Sequence, residues 1–130
     1  GHTRWSIHAI SRDQKMLLRL QRGGPSAWMH PADMASRGLV DHDRIRIFNE
    51  HGAFETRVRP AARMQPGMIQ IYHAWEPYQF KKWQGQQAPV AAPWKPIHLA
   101  GGYAQLHYRM YYGSPGHNPR GVGVEVEKAV

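Results

Sequence analysis

Apolar and polar residues alternate with a period of two in several short stretches of the chain, and turn signals separate them. Residues 4–13 (RWSIHAISRD) come first: as a strand they set Trp5, Ile7 and Ala9 on one face and Arg4, Ser6 and His8 on the other. The stretch runs into Ser11-Arg12-Asp13, a corner of turn-forming side chains able to hold a phosphate or a polar heterocycle. The apolar run at 15–21 (KMLLRLQ) fits a helical turn or a short strand, and Arg22-Gly23-Gly24-Pro25 ends it. Residues 26–29 read as a short strand. At 30–38 a short helix is predicted, with Pro31 in its first position, Asp33 at the positive end, Arg37 at the negative end and Gly38 as the C-cap.

The clearest alternation lies at 43–49, where Ile45 and Ile47 turn inward and Arg44 and Arg46 outward. Glu50-His51-Gly52 makes the turn, and Phe54, Thr56 and Val58 continue the pattern on a return strand that Pro60 stops. The outer face of this β-hairpin carries Arg44, Arg46, Arg57 and Arg59, with Glu55 among them. Gln65-Pro66-Gly67 has the signature of a type II turn, and residues 68–72 follow as a strand. From 73 to 96 the pattern is lost in a long aromatic and Pro-rich loop holding Trp75, Trp83 and Trp94 with Pro77, Pro89, Pro93 and Pro96. Loops of this length inside a domain usually carry function or a docking surface. Residues 103–112 fit a short helix or a strand, 113–121 form a turn-rich loop, and Val122, Val124 and Val126 alternate with Glu125 and Glu127 in a closing strand. The fold class is mainly β: about six short strands with one or two short helices suggest a small β-barrel.

Composition narrows the partners. The 130 residues make one domain, 1–130, and 42% hydrophobic residues suit a folded core. With 17 Lys and Arg against 9 Asp and Glu, the formal net charge is +8, which favours anionic partners. The absence of cysteine excludes disulfides and thiolate metal sites within this segment. The start at Gly1-His2-Thr3, without an initiator Met or a signal-peptide pattern, reads as a piece cut from something longer. No P-loop, HExxH, nucleophile-elbow or dinucleotide GxGxxG pattern is present. The nine histidines are scattered singly, with His8, His73 and His117 in polar or turn contexts. No paired carboxylates lie in apolar surroundings, so the segment is not expected to be catalytic by itself. The residues alone thus describe a basic β-barrel that binds an anion, and nucleic acid is one candidate.

Several segments, in order, resemble the C-terminal molybdopterin-guanine-dinucleotide-binding domain of the dimethyl sulfoxide reductase family. They are Thr3-Arg4-Trp5-Ser6-Ile7-His8 as the entry strand, Leu18 to Pro25 (LRLQRGGP) as its continuation, and His30 to Ala35 with Gly38 to Asp43 as the helix and following strand. Met64-Gln65-Pro66-Gly67-Met68 is similar to the family's Pro-Gly turn. Residues 97–106 (IHLAGGYAQL) and Tyr111-Tyr112-Gly113 resemble the end of membrane-associated nitrate reductase catalytic subunits. His73 to Phe80 (HAWEPYQF) resembles the branch of ethylbenzene, steroid side-chain, selenate and chlorate enzymes. The resemblance covers essentially the whole chain.

It implies a six-stranded double-psi β-barrel and a larger catalytic subunit of a molybdenum oxidoreductase, either a hydrocarbon- or sterol-hydroxylating dehydrogenase or an oxyanion reductase. It implies a bis(molybdopterin guanine dinucleotide) molybdenum cofactor, with an iron–sulfur cluster elsewhere in the full subunit. Implied partners are the remaining domains of that subunit, an iron–sulfur beta subunit, a haem gamma subunit and a small-molecule substrate, in the periplasm or, alternatively, at the cytoplasmic face of the membrane. By position, the cofactor-binding residues carried over are Arg4, His8, Ala9, Ile10, Ser11 and Arg12, then Tyr72, His73 and Trp75, then His117 and Asn118. None is a metal ligand or catalytic. Residues 104–107 (AQLH) depart from the Asn-x-Leu-Thr found in many members, and Asn118 stands where a Lys is frequent. The alternative is a free-standing basic barrel that binds nucleic acid.

Overall fold

The computed structural model describes residues 11, 14–20, 23–90 and 121–129. The chain divides into two units, residues 1–89 with 124–130, and residues 90–123. Of the second only residues 90 and 121–123 are described, and the described strands and helices all belong to the first.

The run after Gln14 is a helix, α1 (Lys15–Leu20), held to the core through the half-buried Leu18 while Met16 and Leu20 stay exposed. β1 (Ser26–Met29) follows the Gly-Gly-Pro break. α2 (Pro31–Ser36) begins with Pro31 at its first position, and the His30 Nδ1 atom accepts from Ala32 N–H at 3.1 Å. Its end is a Schellman motif. Gly38, at φ 62°, donates its N–H to Ala35 O, and Leu39 donates to Met34 O. Gly38 therefore sits one position beyond the cap residue, Arg37, because the left-handed turn comes after the last helical carbonyls have found donors.

β2 (Arg44–Asn49) and β3 (Gly52–Pro60) form the expected antiparallel hairpin, with Ile45 opposite Thr56 and Ile47 opposite Phe54. The Asn49 side chain caps the turn, its Oδ1 accepting from His51 N–H and Gly52 N–H. The Pro-Gly turn forms with Gly67 at φ 80° and Met68 N–H donating to Gln65 O, and it leads into β4 (Ile69–Ile71). The carboxylate of Asp33 accepts from Gly67 N–H at 2.7 Å, tying this turn to α2. β5 (Glu125–Lys128) is the closing strand and pairs antiparallel with β2.

The five strands make one mixed sheet in the order β4-β1-β3-β2-β5. Among them only β1 and β3 run parallel, from Ser26 opposite Arg57 to Met29 opposite Pro60. The fold is thus mainly β with few short helices, and among the described residues the sheet is open. The expected opening strand, residues 4–10, lies outside them.

One face of the sheet is the core. Ala27, Met29, Ile45, Ile47, Phe54 and Val58 meet Met34 and Leu39 there, with Ile69, Ile71 and Val126 at the margin. Ile45 and Val58 are fully enclosed, and each such side chain contributes about 1.5–3 kcal/mol through burial. Thr56 is the buried polar residue of this face, and its hydroxyl donates to Pro25 O at 2.9 Å.

The long loop lacks α-helix and strand over its described part, as its lost pattern predicts. Its described part, 73–90, holds two short 3₁₀ turns, Pro77–Gln79 and Lys81–Trp83, and closes the core with Trp75 and Phe80. Phe80 meets Phe54 edge to face at 5.8 Å. Burial of these two aromatics fixes a segment that lacks any periodic pattern. The first half of β3 extends beyond β1, and this segment lies against it: Asn49 Nδ2 donates to Pro89 O at 2.9 Å, and Gly52 faces Ala88.

Candidate functional site

Strand pleating sends the other face of the sheet outward, and it is basic. It carries Ser26 and Trp28 from β1, Gln70 from β4, Glu55, Arg57 and Arg59 from β3, and Arg44 and Arg46 from β2, as the hairpin's alternation predicts. Arg46 pairs with Glu127 of β5 at 2.8 Å, an exposed contact of small energy, and its guanidinium lies over the Phe48 ring.

Tyr72 continues β4 by one residue on this outer face. Its ring meets Trp28 edge to face at 6.3 Å, and its hydroxyl accepts from the Arg63 guanidinium at 3.0 Å. Arg59 and Arg63 both stack on Trp28, at 5.0 and 5.9 Å from the ring centre. Arg59 Nε is buried without a hydrogen-bond partner, and Asp41 approaches it only to 3.9 Å. Two guanidinium groups, a phenol and an indole therefore share one patch, and one buried donor there is left to be satisfied. That donor set suits an anionic, hydrogen-bonding heterocycle.

The chain leaves β4 through a kink. Ala74 takes φ 74°, a conformation that costs a residue bearing a Cβ about 1–2 kcal/mol. Around it His73 remains half-buried and Trp75 turns into the core. Of the residues carried over by resemblance, Tyr72, His73 and Trp75 are thus placed together at the end of β4, with Trp75 as their core anchor. Ser11 is half-buried. Arg4, His8, Ala9, Ile10, Arg12, His117 and Asn118 lie outside the described residues. Sequence reasoning missed Trp28, Arg59 and Arg63 as neighbours of Tyr72. The outward alternation of Arg59 was legible, but no local pattern announces that β1 lies between β3 and β4. Among the described residues no group of three His, Asp or Glu side chains comes together in a metal-binding arrangement.

A groove of about 950 Å³ opens beside this patch, lined among others by Gly24, Ser26, Arg44, Glu55, Arg57 and Lys81. Lys81 donates to both Glu55 oxygens, at 3.2 and 2.9 Å, and Arg44 lies 3.6 Å from the same carboxylate. The Lys81 hydrogen bond, opposed by partial burial and helped by the charges of Lys81 and Arg44, holds the Glu55 carboxyl below its ordinary value. Just before β2, the hydrogen bond from Val40 N–H and then that from Lys128 hold the Asp43 carboxyl below its ordinary value.

A family model described as molydopterin dinucleotide binding domain matches residues 1–104. The chain belongs to this family. Its similarity to named proteins runs over nearly its whole length. It is 33% identical to dimethylsulfide dehydrogenase subunit alpha of Rhodovulum sulfidophilum over 98% of the chain, and 36% identical to chlorate reductase subunit alpha of Ideonella dechloratans over 98%. It is 36% identical to the respiratory nitrate reductase 1 alpha chain of Escherichia coli over 90%. The chain spans only 14%, 14% and 10% of the length of these relatives. Among solved structures, acetylene hydratase from Pelobacter acetylenicus shares the fold with a TM-score of 0.53 at 20% identity, over 58% of this chain and 10% of that one.

Proposed function

We propose that the chain is the cofactor-binding domain, residues 1–130, of a molybdenum oxidoreductase catalytic subunit, and that it holds part of a bis(molybdopterin guanine dinucleotide) molybdenum cofactor. The family match over residues 1–104 carries this reading, and the alpha subunits aligned along nearly all of the chain support it. Both favour it over a free-standing barrel that binds nucleic acid. When bound, the cofactor supplies the redox chemistry of the enzyme. This chain's own residues bind and orient it. Arg4 and Arg12 neutralise phosphate charge, His8 and the backbone of 9–11 donate to its polar edges, and Tyr72 and His73 face it from the end of β4. Trp75 fixes His73 from the core side. His117 and Asn118 complete the set, Asn118 through its amide.

In the same reading, the opening strand becomes the sixth strand of a double-psi β-barrel. The parallel β1–β3 pair within an otherwise antiparallel sheet suits such a crossover topology. The names of the relatives favour a substrate within dimethylsulfide, chlorate or nitrate chemistry, so the whole enzyme works either as an oxyanion reductase or as a dehydrogenase. Their designation as alpha subunits supports an assembly with further subunits, which we assign as an iron–sulfur beta subunit and a haem gamma subunit, in the periplasm. An iron–sulfur cluster belongs to the part of the catalytic subunit beyond this chain. The direct test is Arg4→Ala in the full-length protein. It lowers molybdenum and pterin content together and leaves the circular dichroism spectrum unchanged. Full cofactor content in the purified variant would contradict the assignment.

A further inference from the structure

The loop that follows β4 carries an exposed aromatic pair that the cofactor reading does not use. Tyr78 and Trp83 are 48% and 73% exposed, and their rings meet at 6.3 Å with a tilt of 59°. Large apolar side chains scattered singly on a surface need no partner, but two that touch form a patch. The turn beneath them is held from inside. Phe80, between the two in sequence, is buried against Phe54, and its ring also packs on Gly85, where a Cβ would come within 3.0 Å of it. Lys81 reaches the Glu55 carboxylate of β3 at 2.9 Å, and the Gln79 side chain accepts from Glu76 N–H at 3.0 Å. The pair is therefore presented on a fixed platform.

The backbone is set against its own preference to make this presentation. Lys82 and Trp83 stand consecutively in the left-handed region, at φ 56° and 59°, which residues with a Cβ rarely adopt. Such strain persists where the surroundings compensate it, yet Trp83 stays largely open to solvent. Lys82 is exposed beside it and makes neither an ion pair nor a hydrogen bond among the described residues. Its charge acts on Glu55 only from a distance, because Lys81 already holds that carboxylate. Two touching rings and a cation without a direct partner thus crown a turn that is rigid below and strained above.

We propose that Tyr78, Trp83 and Lys82 are the anchors by which this domain docks on another part of the same catalytic subunit, one that offers an apolar recess with a carboxylate at its rim. The docking presupposes that the chain is one domain of a larger catalytic subunit. The chain spans only between 10% and 14% of its aligned relatives, so the large remainder of such a subunit is at hand as the partner. Area selects it over a separate protein. Two aromatic side chains bury at most about 300–500 Å². That is well short of the roughly 800 Å² that each side contributes to a stable complex of free partners. A patch of this size suffices where one polypeptide keeps both surfaces together. Lys82 matches the rim carboxylate, and the rigid platform spares the cost of ordering the anchors.

Hydroxyl-radical footprinting of the full-length subunit, alone and in its assembled enzyme, tests the proposal, with the same protein in denaturant as the reference for full exposure. In the isolated subunit Trp83 is expected to react about 10-fold or more slowly than in denaturant, as an anchor enclosed in a desolvated recess does. Lys82→Glu sets like charge against the rim and raises the reaction of Trp83 several-fold, and Lys82→Ala falls between. An unchanged rate in Lys82→Glu contradicts the acidic rim. Protection that appears only in the assembled enzyme, or only at high protein concentration, overturns the proposal by giving the patch to another subunit or to a second copy. Reaction as fast as in denaturant in both forms overturns it outright. Molybdenum content of the same preparation keeps the two readings apart. A reactive Trp83 in a fully loaded enzyme removes the docking and leaves cofactor binding intact, whereas a protected Trp83 in a metal-free protein does the reverse.

Discussion

Replacing Gly52 by Ala probes how the long loop is held to the sheet. A Cβ on Gly52 would stand 2.5 Å from Ala88 O and 3.0 Å from Ala88 C, whereas ordinary contact begins near 3.4 Å. The obstacle is backbone, so no rotamer change relieves it, and residue 88 must retreat by about 1 Å. Retreat is opposed by the Asn49–Pro89 hydrogen bond at 2.9 Å and by the turn that Ala88 N–H closes onto Gly85 O. Overpacking of this kind costs about 1–3 kcal/mol, roughly 5- to 150-fold in a local opening equilibrium. Hydrogen exchange of the full-length protein reads that opening directly, and amides of β2, β3 and residues 85–89 should exchange faster by such a factor. Gly24→Ala, with nothing within 4 Å of the new carbon, serves as the control and leaves exchange unchanged in the same segments. Unaltered protection in Gly52→Ala would refute the packing of the loop on β3.

Two other substitutions exploit local geometry. Ala74→Gly removes the cost of a left-handed alanine, about 1–2 kcal/mol, against the greater chain freedom of glycine, about 0.5–1 kcal/mol, so a net gain of up to about 1.5 kcal/mol is expected in denaturant unfolding. A loss of stability would show that the alanine methyl is needed at the kink. Glu55 has a depressed carboxyl, so its contribution to stability is complete above the ordinary value of 4.5 and is lost as pH falls through the lower folded value. Thermal unfolding of Glu55→Gln should therefore fall less steeply than wild type as pH drops below about 4.5, the two curves converging at the acid end; parallel curves would exclude the Lys81–Glu55 pair as their origin.

Local rules made the hairpin, α2 and the Pro-Gly turn legible. The alternation at 43–58 fixed which arginines face outward, since a pleated strand leaves no other choice once Ile45, Ile47 and Val58 are buried. The Schellman end at Gly38 and the turn at Gly67 are set by residues within five positions of each other. The parallel contact of β1 with β3 was not legible, because it joins residues about thirty apart through no shared pattern. For the same reason the neighbours of Tyr72 escaped: Trp28, Arg59 and Arg63 come from three separate segments. The groove unites Ser26, Arg44, Arg57 and Lys81 in the same non-local way. The loop at 73–90 was least legible, because only its length marked it: Trp75 and Phe80 are core while Tyr78 and Trp83 stay exposed. An aperiodic segment gives no sign of which aromatics turn inward.

The most direct test of cofactor binding is an elemental and pterin analysis of the full-length protein. Molybdenum accompanied by guanine-dinucleotide pterin at about two per metal is the result expected of a domain that helps hold this cofactor. A purified, folded protein containing neither would contradict the central claim.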